Sequence, residues 1–376
     1  MIYLDYAATT PVMYEVLESY NKVTKEYMAN PNSIHSYGAK GMNLLNNALK
    51  QMSELLNVKE SELTITSGAT EGNNTAIKGL AHKYGKLGNN ILVSKLEHPS
   101  VYEILKYLET EGFKITYLNH NEDGLIDFED LKEKVKKDTI LVIINAVNSE
   151  LGIRQPLKTL RQIIKKENPE TLLHSDMTQA IGKVNVNLHD ADTAVMSSHK
   201  FYGPKGIGLL YINEKIHIEP LIHGSSKVNN LRSGTPPLPL IVSMAKALRI
   251  ALTDLDRKEQ YIAKLSNKLK ESLLKYKTIT CNQTKYSIPH ILNFSIGDIR
   301  PEVLINALSL KDIYIGTNTA CSTGEESDSI MAIFNDHKRA TSSIRICISH
   351  ITTSDEINRF IMTFNDVYED LLGMIN

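Results

Sequence analysis

Strand and helix patterns alternate between residues 63 and 212, and this alternation limits the possible folds more than any other feature of the chain. Short β-branched or aliphatic runs, separated by helical patterns, lie at residues 63–66, 91–94, 115–118, 140–144, 171–176, around 195 and at 208–212. Such alternation is typical of a mostly parallel sheet with helices on its faces. The sequence therefore predicts an α/β fold.

The length of the chain predicts a second, smaller domain. At 376 residues the chain exceeds the size at which one hydrophobic core keeps growing. Residues 238–276 are apolar at helical spacing and then heavily charged, which predicts a connection into a smaller C-terminal domain. The N-terminal residues are expected to pack with that domain. We predict a large domain at residues 13–250 and a discontinuous small domain at 1–12 and 251–376, which includes a loop at 316–335.

Lys200 is the first candidate for chemistry. It lies between the polar cluster Ser197, Ser198 and His199 and a glycine-rich turn that leads into the strand at 208–212. A lysine that forms a Schiff base must lose its proton near neutral pH, which requires a constrained site with polar neighbours. The alternative is a surface lysine before a turn, because most lysines are exposed.

Residues 67–74 read as a small-residue turn between a strand and a helix start. Free backbone N–H groups at a helix start, with the helix dipole behind them, suit a phosphate, and the Thr70 hydroxyl adds a donor. The segment lacks the Gly-Lys-Ser/Thr ending of a P-loop and is no dinucleotide fingerprint. The alternative is a helix cap without a ligand.

Asp176 follows the predicted strand at 171–175, so it is expected at the carboxyl edge of the sheet, where open α/β folds bind ligands. Alone, it could equally be the N-cap of the next element. Pyridoxal phosphate requires a Schiff-base lysine, a phosphate site and a carboxylate that keeps its ring nitrogen protonated. Lys200, the turn at 67–74 and Asp176 together favour that cofactor.

The chain resembles the NifS/IscS-type cysteine desulfurases of the class V pyridoxal-phosphate enzymes, almost from end to end. The most specific matches are Ala-Ala-Thr-Thr-Pro at 7–11, Asn-Pro-Asn-Ser at 30–33, Gly-Ala-Thr-Glu at 68–71, Glu-His-Pro at 97–99, Asn-Ser-Glu-Leu-Gly at 148–152, His-Lys-Phe-Tyr-Gly-Pro-Lys-Gly at 199–206, Arg-Ser-Gly-Thr at 232–235 and Ala-Cys-Ser at 320–322. The resemblance implies a fold-type I transferase with a large cofactor-binding domain and a smaller α+β domain.

The resemblance also assigns roles to individual residues. Lys200 matches the Schiff-base lysine, Asp176 the partner of the pyridine nitrogen, and Gln179 the partner of the ring hydroxyl. The implied phosphate ligands are Ala69, Thr70, Ser197 and His199, with Thr235 reaching the phosphate of a neighbouring subunit. His98 would stack on the ring and assist proton transfer, although a helix-start histidine is the alternative. Asn148 would contact cofactor and substrate, and Arg345 would bind the substrate carboxylate.

The chain contains three cysteines, and one of them lies in a setting that suits a nucleophile. Cys281 and Cys347 lie in strand-like runs, where a cysteine is usually an unreactive packing residue. Cys321 instead lies in a stretch of small, polar residues. An odd count without Cys-x-x-Cys spacing argues against disulfides and structural zinc. The resemblance assigns the catalytic nucleophile to Cys321 and implies no resident metal, with Cys321 as a transient iron–sulfur ligand.

The expected reaction is conversion of L-cysteine to L-alanine, with the sulfur transferred as a persulfide to Cys321. The long segment between Cys321 and Arg345 resembles the NifS/IscS group, which implies a homodimer that passes sulfur to an iron–sulfur scaffold or to a tRNA- or cofactor-thiolation enzyme. The alternatives are another class V enzyme, such as an aminotransferase or selenocysteine lyase, and a catalytically silent scaffold. Residues 224–231, Ser149 and Ser198 depart from the usual pattern of the group.

The charge balance excludes some partners. Lys and Arg total 42 against 43 Asp and Glu, so no global charge attracts nucleic acid or a membrane surface. The sequence shows no signal-peptide pattern and no apolar run that could span a bilayer. A cytoplasmic protein without direct nucleic-acid or membrane contacts is therefore expected.

Overall fold

A computed structural model describes residues 1–224, 231–317 and 326–375. Within these ranges the chain forms strands β1 Ile2–Tyr3, β2 Leu63–Thr66, β3 Asn90–Ser94, β4 Lys114–Leu118, β5 Thr139–Ile143, β6 Leu172–Asp176, β7 Thr193–Ser197, β8 Gly208–Ile212, β9 Thr280–Cys281, β10 Ile291–Ser295, β11 Ile313–Tyr314 and β12 Ser343–Cys347. The helices are α1 Tyr14–Glu26, α2 Ser36–Leu56, α3 Ala69–Tyr84, α4 Pro99–Thr110, α5 Phe128–Lys134, α6 Leu157–Glu167, α7 Leu238–Leu252, α8 Leu255–Leu273, α9 Pro301–Ser309, α10 Asp328–Phe334, α11 His337–Thr341 and α12 Ser354–Ile375.

The largest sheet in the described residues has the strand order β2-β8-β7-β6-β5-β3-β4. Strand β8 runs antiparallel to both β2 and β7, and the other neighbours are parallel. This arrangement confirms the predicted α/β fold with a mostly parallel mixed sheet. The antiparallel β8 follows β7 after a turn that contains Lys200, which is too short for the crossover that a parallel neighbour would need.

Helices cover both faces of this sheet. In β3, Leu92 belongs to one hydrophobic core, whereas Ile91 and Val93 belong to another. The first core includes side chains of α1, α2 and α7, and the second includes side chains of α3 and α4. Because successive strand residues point to opposite faces, strands covered on both faces are apolar throughout.

A second structural unit forms around its own core. Strands β12, β10 and β9 form an antiparallel sheet, and β1 pairs in parallel with β11. The core of this unit contains side chains of α8, α9 and α12 together with Ile2 and Leu4 from the N-terminus. This arrangement supports the predicted discontinuous small domain, whose boundaries remain a prediction.

The main sheet gathers several chain turns at one edge. Strand β6 ends at Asp176, β7 ends at Ser197, and α4 begins after β3. Helix α3 begins directly after β2, which reaches the same edge because it runs antiparallel to β8. Across the described ranges, no helix has the length and apolar character needed to cross a membrane.

Candidate active site

A cavity of about 430 Å³ lies at this edge of the sheet. It is lined by Ser67, Gly68, Ala69, Thr70, Glu71, Leu96, His98, Ser100, Asn145, Val147, Ser149, Asp176, Thr178, Gln179, Ser197, His199, Lys200, Lys205 and Gly206. The cavity therefore brings together eight residues that the sequence singled out: Ala69, Thr70, His98, Asp176, Gln179, Ser197, His199 and Lys200.

Lys200 ends a short helical turn after β7, and its side chain is held by the N-terminal segment. Its Nζ atom donates hydrogen bonds to the carbonyl oxygens of Ala7, at 2.5 Å, and Ala8, at 2.8 Å. Burial, together with the positive charge of Arg345, lowers the pKa of Lys200 to about 8. Lys200 is therefore a constrained amine that loses its proton more easily than an exposed lysine does.

Asp176 is buried at the end of β6, and hydrogen bonds reach both of its carboxylate oxygens. Oδ2 accepts from Asn73 Nδ2 at 3.0 Å, and Oδ1 accepts from the backbone N–H of Thr178 at 2.9 Å. These two donors fix the orientation of the carboxylate at the strand end. One turn further, Gln179 Nε2 donates to the carbonyl oxygen of Ala7 at 2.9 Å.

The start of α3 supplies the expected anion-binding turn. The helix begins at Ala69, and the first N–H groups of any helix have no partner within the helix. The N-cap Gly68 has no side chain to cap them, so they can face an anion. Space is tight here: a Cβ atom on Gly208 would lie 2.7 Å from the Cα atom of Gly68. Glycine at 208 lets the strand approach the turn closely.

Ser197 and His199 also line the cavity. His199 Nδ1 lies 3.1 Å from the Thr9 hydroxyl, and its backbone carbonyl accepts from the Thr10 hydroxyl at 3.0 Å. Burial and the neighbouring charge of Lys200 lower the pKa of His199 to about 4. The ring is thus neutral at physiological pH and can donate one hydrogen bond.

His98 is a helix-start residue, as the alternative from the sequence had it, and it also lines the cavity, whereas its stacking on a cofactor ring remains a prediction. It is the N-cap of α4, where its Nδ1 atom accepts from the backbone N–H of Ser100 at 3.0 Å. Desolvation lowers the pKa of His98, and the charge of Lys200 lowers it further. A capping histidine can therefore still face a ligand.

Three of the predicted site residues do not line the cavity. Asn148 is buried, and its side chain bonds to Leu96 O, to Ser329 Oγ and to the backbone N–H groups of Glu150 and Leu151. Thr235 is exposed, and its predicted contact with a neighbouring subunit remains a prediction. The role of Asn148 toward a ligand also remains a prediction.

Arg345, the third of these residues, lies beside the cavity on β12. Its Nη1 atom donates to the carbonyl oxygen of Ser149 at 3.1 Å, and Ser149 lines the cavity. Its Nη2 atom lies 2.9 Å from Asp5 Oδ1, and Nε is buried without a hydrogen-bond partner among the described residues. Arg345 therefore retains an unused donor.

Of the three cysteines, Cys321 lies outside the described residues. Cys281 is partly buried, and Cys347 is buried. Burial raises the pKa of the Cys347 thiol to about 11, so this thiol stays protonated and unreactive at neutral pH. The expectation that Cys347 is inert filling agrees with this environment.

The sequence did not reveal several side chains of the site. Asn73 contacts Asp176, and Asn145 and Thr178 line the cavity. Thr178 follows Asp176 by two residues, so its place after a strand end was a usable signal. Asn73 lies within α3, where an asparagine gives no sign of its long-range contact.

The site fits pyridoxal phosphate on observations from this structure. The cavity contains a constrained amine, a carboxylate and an uncapped helix start, which are the groups that this cofactor requires. In addition, Gln179 Oε1 and Thr178 Oγ1 are buried and have no hydrogen-bond partner among the described residues. Buried polar atoms without partners are uncommon and indicate a missing ligand or water.

Comparisons with known proteins agree with this site. The chain is 36% identical over 376 residues to a cysteine desulfurase IscS of Dictyoglomus turgidum, covering 98% of this chain and 95% of the relative. A solved NifS-like protein superposes with a TM-score of 0.92 at 35% identity, covering 98% of this chain and 99% of that one. A solved structure described as SspA in complex with cysteine has a TM-score of 0.82 at 30% identity, covering 94% and 100%. Residues 2–360 match the aminotransferase class-V family, and the chain belongs to that family.

Proposed function

We propose that the chain is a pyridoxal-phosphate-dependent cysteine desulfurase that converts L-cysteine to L-alanine and takes the sulfur as a persulfide on Cys321. The observation that carries this proposal is the constrained amine of Lys200 in one cavity with Asp176 and the uncapped start of α3. Relatives named cysteine desulfurase, 36% and 40% identical over nearly the whole chain, support the choice of reaction.

The cofactor would be held by residues at both ends of the cavity. Lys200 would bond covalently to it, Asp176 would pair with its ring nitrogen, and Gln179 would use its unpartnered Oε1 atom toward the ring hydroxyl. The phosphate would lie at the start of α3, near Ala69, Thr70, Ser197 and His199. When bound, pyridoxal phosphate supplies an electron sink for bonds broken at the substrate Cα atom.

Lys200 and His98 would move protons. The Lys200 amine has a lowered pKa of about 8, so a substantial fraction is neutral near physiological pH and can accept the proton from the substrate Cα atom. His98 would stack on the ring and donate from Nε2, because its Nδ1 atom is used as a helix-cap acceptor. The charge of Asp176 would keep the ring nitrogen protonated.

Arg345 would bind the carboxylate of L-cysteine. Its guanidinium is beside the cavity, and the unpartnered Nε atom is a donor for a carboxylate oxygen. Asn148, which supports the turn at 148–151, would reach substrate and cofactor only after a rearrangement of its present bonds. We retain its role as part of the proposal.

Cys321 would accept the sulfur. Its thiolate would attack the substrate sulfur, forming an S–S bond as the substrate Cβ–S bond breaks and the bonding electrons stay on carbon. Protonation of that carbon, together with return from Lys200 of the proton taken from the substrate Cα atom, then gives alanine, and the persulfide can be passed to an acceptor protein. An iron–sulfur scaffold or a thiolation enzyme in the cytoplasm is the proposed acceptor, with Cys321 also serving as a transient iron–sulfur ligand. The proposed active unit is a homodimer in which Thr235 reaches the partner's phosphate.

The test combines cofactor trapping with product analysis. Borohydride reduction of the pyridoxal-phosphate-loaded protein should place the label on Lys200, as read by peptide mass spectrometry. Incubation with L-cysteine should give alanine and a persulfide on Cys321 in equal first-turnover amounts. Cys321→Ala should lose both, whereas Cys281→Ala, the matched control, should keep both.

Two outcomes would contradict the proposal. A label on another lysine would remove the assigned Schiff-base residue. Alanine release that survives in Cys321→Ala would favour a selenocysteine lyase or another class V enzyme, and transamination products would favour an aminotransferase.

A further inference from the structure

We propose that Asn73 and His174 are positioning residues that hold the Asp176 carboxylate through a buried hydrogen-bond chain with a fixed donor direction. This inference rests on the proposed function, because it assigns Asp176 to the cofactor ring. Of the residues in this hydrogen-bond chain, only Asp176 was predicted from the sequence to take part in the site.

The chain of contacts is continuous. Asn73 Nδ2 lies 3.0 Å from Asp176 Oδ2, and Asn73 Oδ1 lies 3.0 Å from His174 Nε2. The other ring nitrogen, His174 Nδ1, lies 2.8 Å from the Thr193 hydroxyl. Asn73, His174 and Thr193 are each completely buried, so water does not compete with these bonds.

The chemistry of the groups fixes the direction of every bond. Asn73 turns its NH₂ group to the accepting Asp176 Oδ2 atom and its carbonyl oxygen to His174. His174 must therefore donate from Nε2. Burial lowers the pKa of His174 to about 4, so the ring is neutral at physiological pH, and Nδ1 accepts the Thr193 hydroxyl proton. The resulting order of donation is Thr193 to His174 to Asn73 to Asp176.

The same amide also supports the histidine on the cavity wall. The Asn73 Nδ2 atom lies 3.0 Å from Ser100 Oγ, and that hydroxyl lies 2.9 Å from His98 Nδ1. Since Asn73 donates to Ser100, the Ser100 hydroxyl proton is directed to His98. One buried amide thus touches the acid proposed for the ring nitrogen and the serine that orients His98.

The neighbouring residue provides a matched control. Asn74 has the same side chain on the same helix, but its Nδ2 atom donates to the carbonyl oxygen of Thr70, at 3.0 Å, in an exposed hydrogen bond within the helix. The donor role of His174 can be separated from its volume by two substitutions. His174→Gln retains an N–H group that can reach Asn73, whereas His174→Leu retains only bulk.

The first measurement uses the apoprotein and no variant. Nitrogen NMR shifts of the His174 ring should show a neutral imidazole protonated on Nε2 throughout pH 6 to 8. A proton on Nδ1, or a charged ring at neutral pH, would overturn the inference. This readout does not depend on desulfurase activity, so failure of the proposed function would leave it interpretable.

The second measurement is the dissociation constant of pyridoxal phosphate. We expect Asn73→Ala and His174→Leu to raise it at least tenfold, while His174→Gln and Asn74→Ala stay within about threefold of the parent protein. Equal effects of His174→Gln and His174→Leu would overturn the inference, because bulk alone would then account for the loss. Thermal unfolding of each variant identifies any that does not fold, and the apoprotein NMR result decides in that case.

Discussion

Arg345 and Asp5 form an ion pair in which Nη2 lies 2.9 Å from Oδ1, although 340 positions separate the two residues. The Arg345 side chain is 3% exposed and that of Asp5 is 22% exposed. A Cβ atom at Gly316 would lie 2.8 Å from Asp5 Oδ1 and 3.2 Å from Arg345 Nη2. A side chain at position 316 would therefore displace one of the two partners, so glycine there leaves room for the pair.

Asp5→Asn should weaken both substrate binding and stability. Loss of the carboxylate charge leaves the buried Arg345 guanidinium poorly oriented, so we expect KM for L-cysteine to rise about tenfold with a smaller change in kcat. The free energy of unfolding should fall by about 2 kcal/mol, as for lost hydrogen bonds to charged groups. Steady-state kinetics and urea unfolding measure the two effects.

The control for this substitution is Asp298→Asn, which breaks the exposed pair between Asp298 and Lys338. Exposed pairs contribute little, so this variant should change neither quantity appreciably. A lower KM in Asp5→Asn would instead show that Asp5 competes with the substrate carboxylate for Arg345.

The buried Lys183 should make stability depend on pH. Burial and the charge of Lys200 lower the pKa of Lys183 to about 7, whereas an unfolded lysine titrates near 10.4. The unfolded state therefore binds more protons between these values, and stability rises with pH across that range. From pH 7 to 9, the free energy of unfolding should rise by about 2 kcal/mol more in the parent apoprotein than in Lys183→Met. Parallel curves for the two proteins would contradict the assignment.

Gly208→Ala should destabilise the protein and disturb the anion-binding turn. The new Cβ atom would lie 2.7 Å from the Gly68 Cα atom and 2.7 Å from the Met196 carbonyl oxygen, and backbone atoms cannot move away as easily as the end of a side chain. We expect a loss of about 1–3 kcal/mol in urea unfolding, together with weaker binding of inorganic phosphate.

Gly373→Ala is the matched control for Gly208→Ala. Position 373 lies in α12, and a Cβ atom there meets nothing within 4 Å. Alanine also favours the helix, so stability should be unchanged or rise by up to about 1 kcal/mol. Comparable losses in both variants would rule out the close approach as the cause.

The reactivity of Lys200 should follow its lowered pKa. In the apoprotein, the rate at which a small amine-reactive acylating reagent labels Lys200 should increase with pH around a midpoint near 8. Peptide mass spectrometry measures the labelling. Only the neutral amine is nucleophilic, so the labelling rate tracks deprotonation. A midpoint of about 10.4, the pKa of a solvated lysine, would show that burial does not lower the pKa of Lys200.

The strand pattern predicted the sheet and the position of Asp176 because both depend on short-range periodicity. Asp176 follows an apolar strand, and Thr70 lies at the start of the helix after β2, so topology alone brings them to one edge. The side-chain network was not predictable in the same way. Asn73 reaches Asp176 across 103 positions, and no local pattern marks an asparagine that will bridge two elements.

His98 illustrates a different limit of sequence reasoning. A helix cap and a ligand contact were treated as alternatives, but the two ring nitrogens allow one residue to do both. The burial of Lys183 could not be predicted from the sequence either. A lysine in a loop pattern is expected to be solvated, and its burial arises only from the packing of distant segments.

The first ten residues connect the two structural units with the lysine. Ile2 and Leu4 lie in the core of the C-terminal unit, the carbonyl oxygens of Ala7 and Ala8 hold the Lys200 amine, and Thr10 bonds to His199. This short segment is therefore restrained at several points along its length. Any displacement of the C-terminal unit would move the carbonyl groups that hold the Lys200 amine, so the position of the reactive nitrogen depends on how the two units are packed.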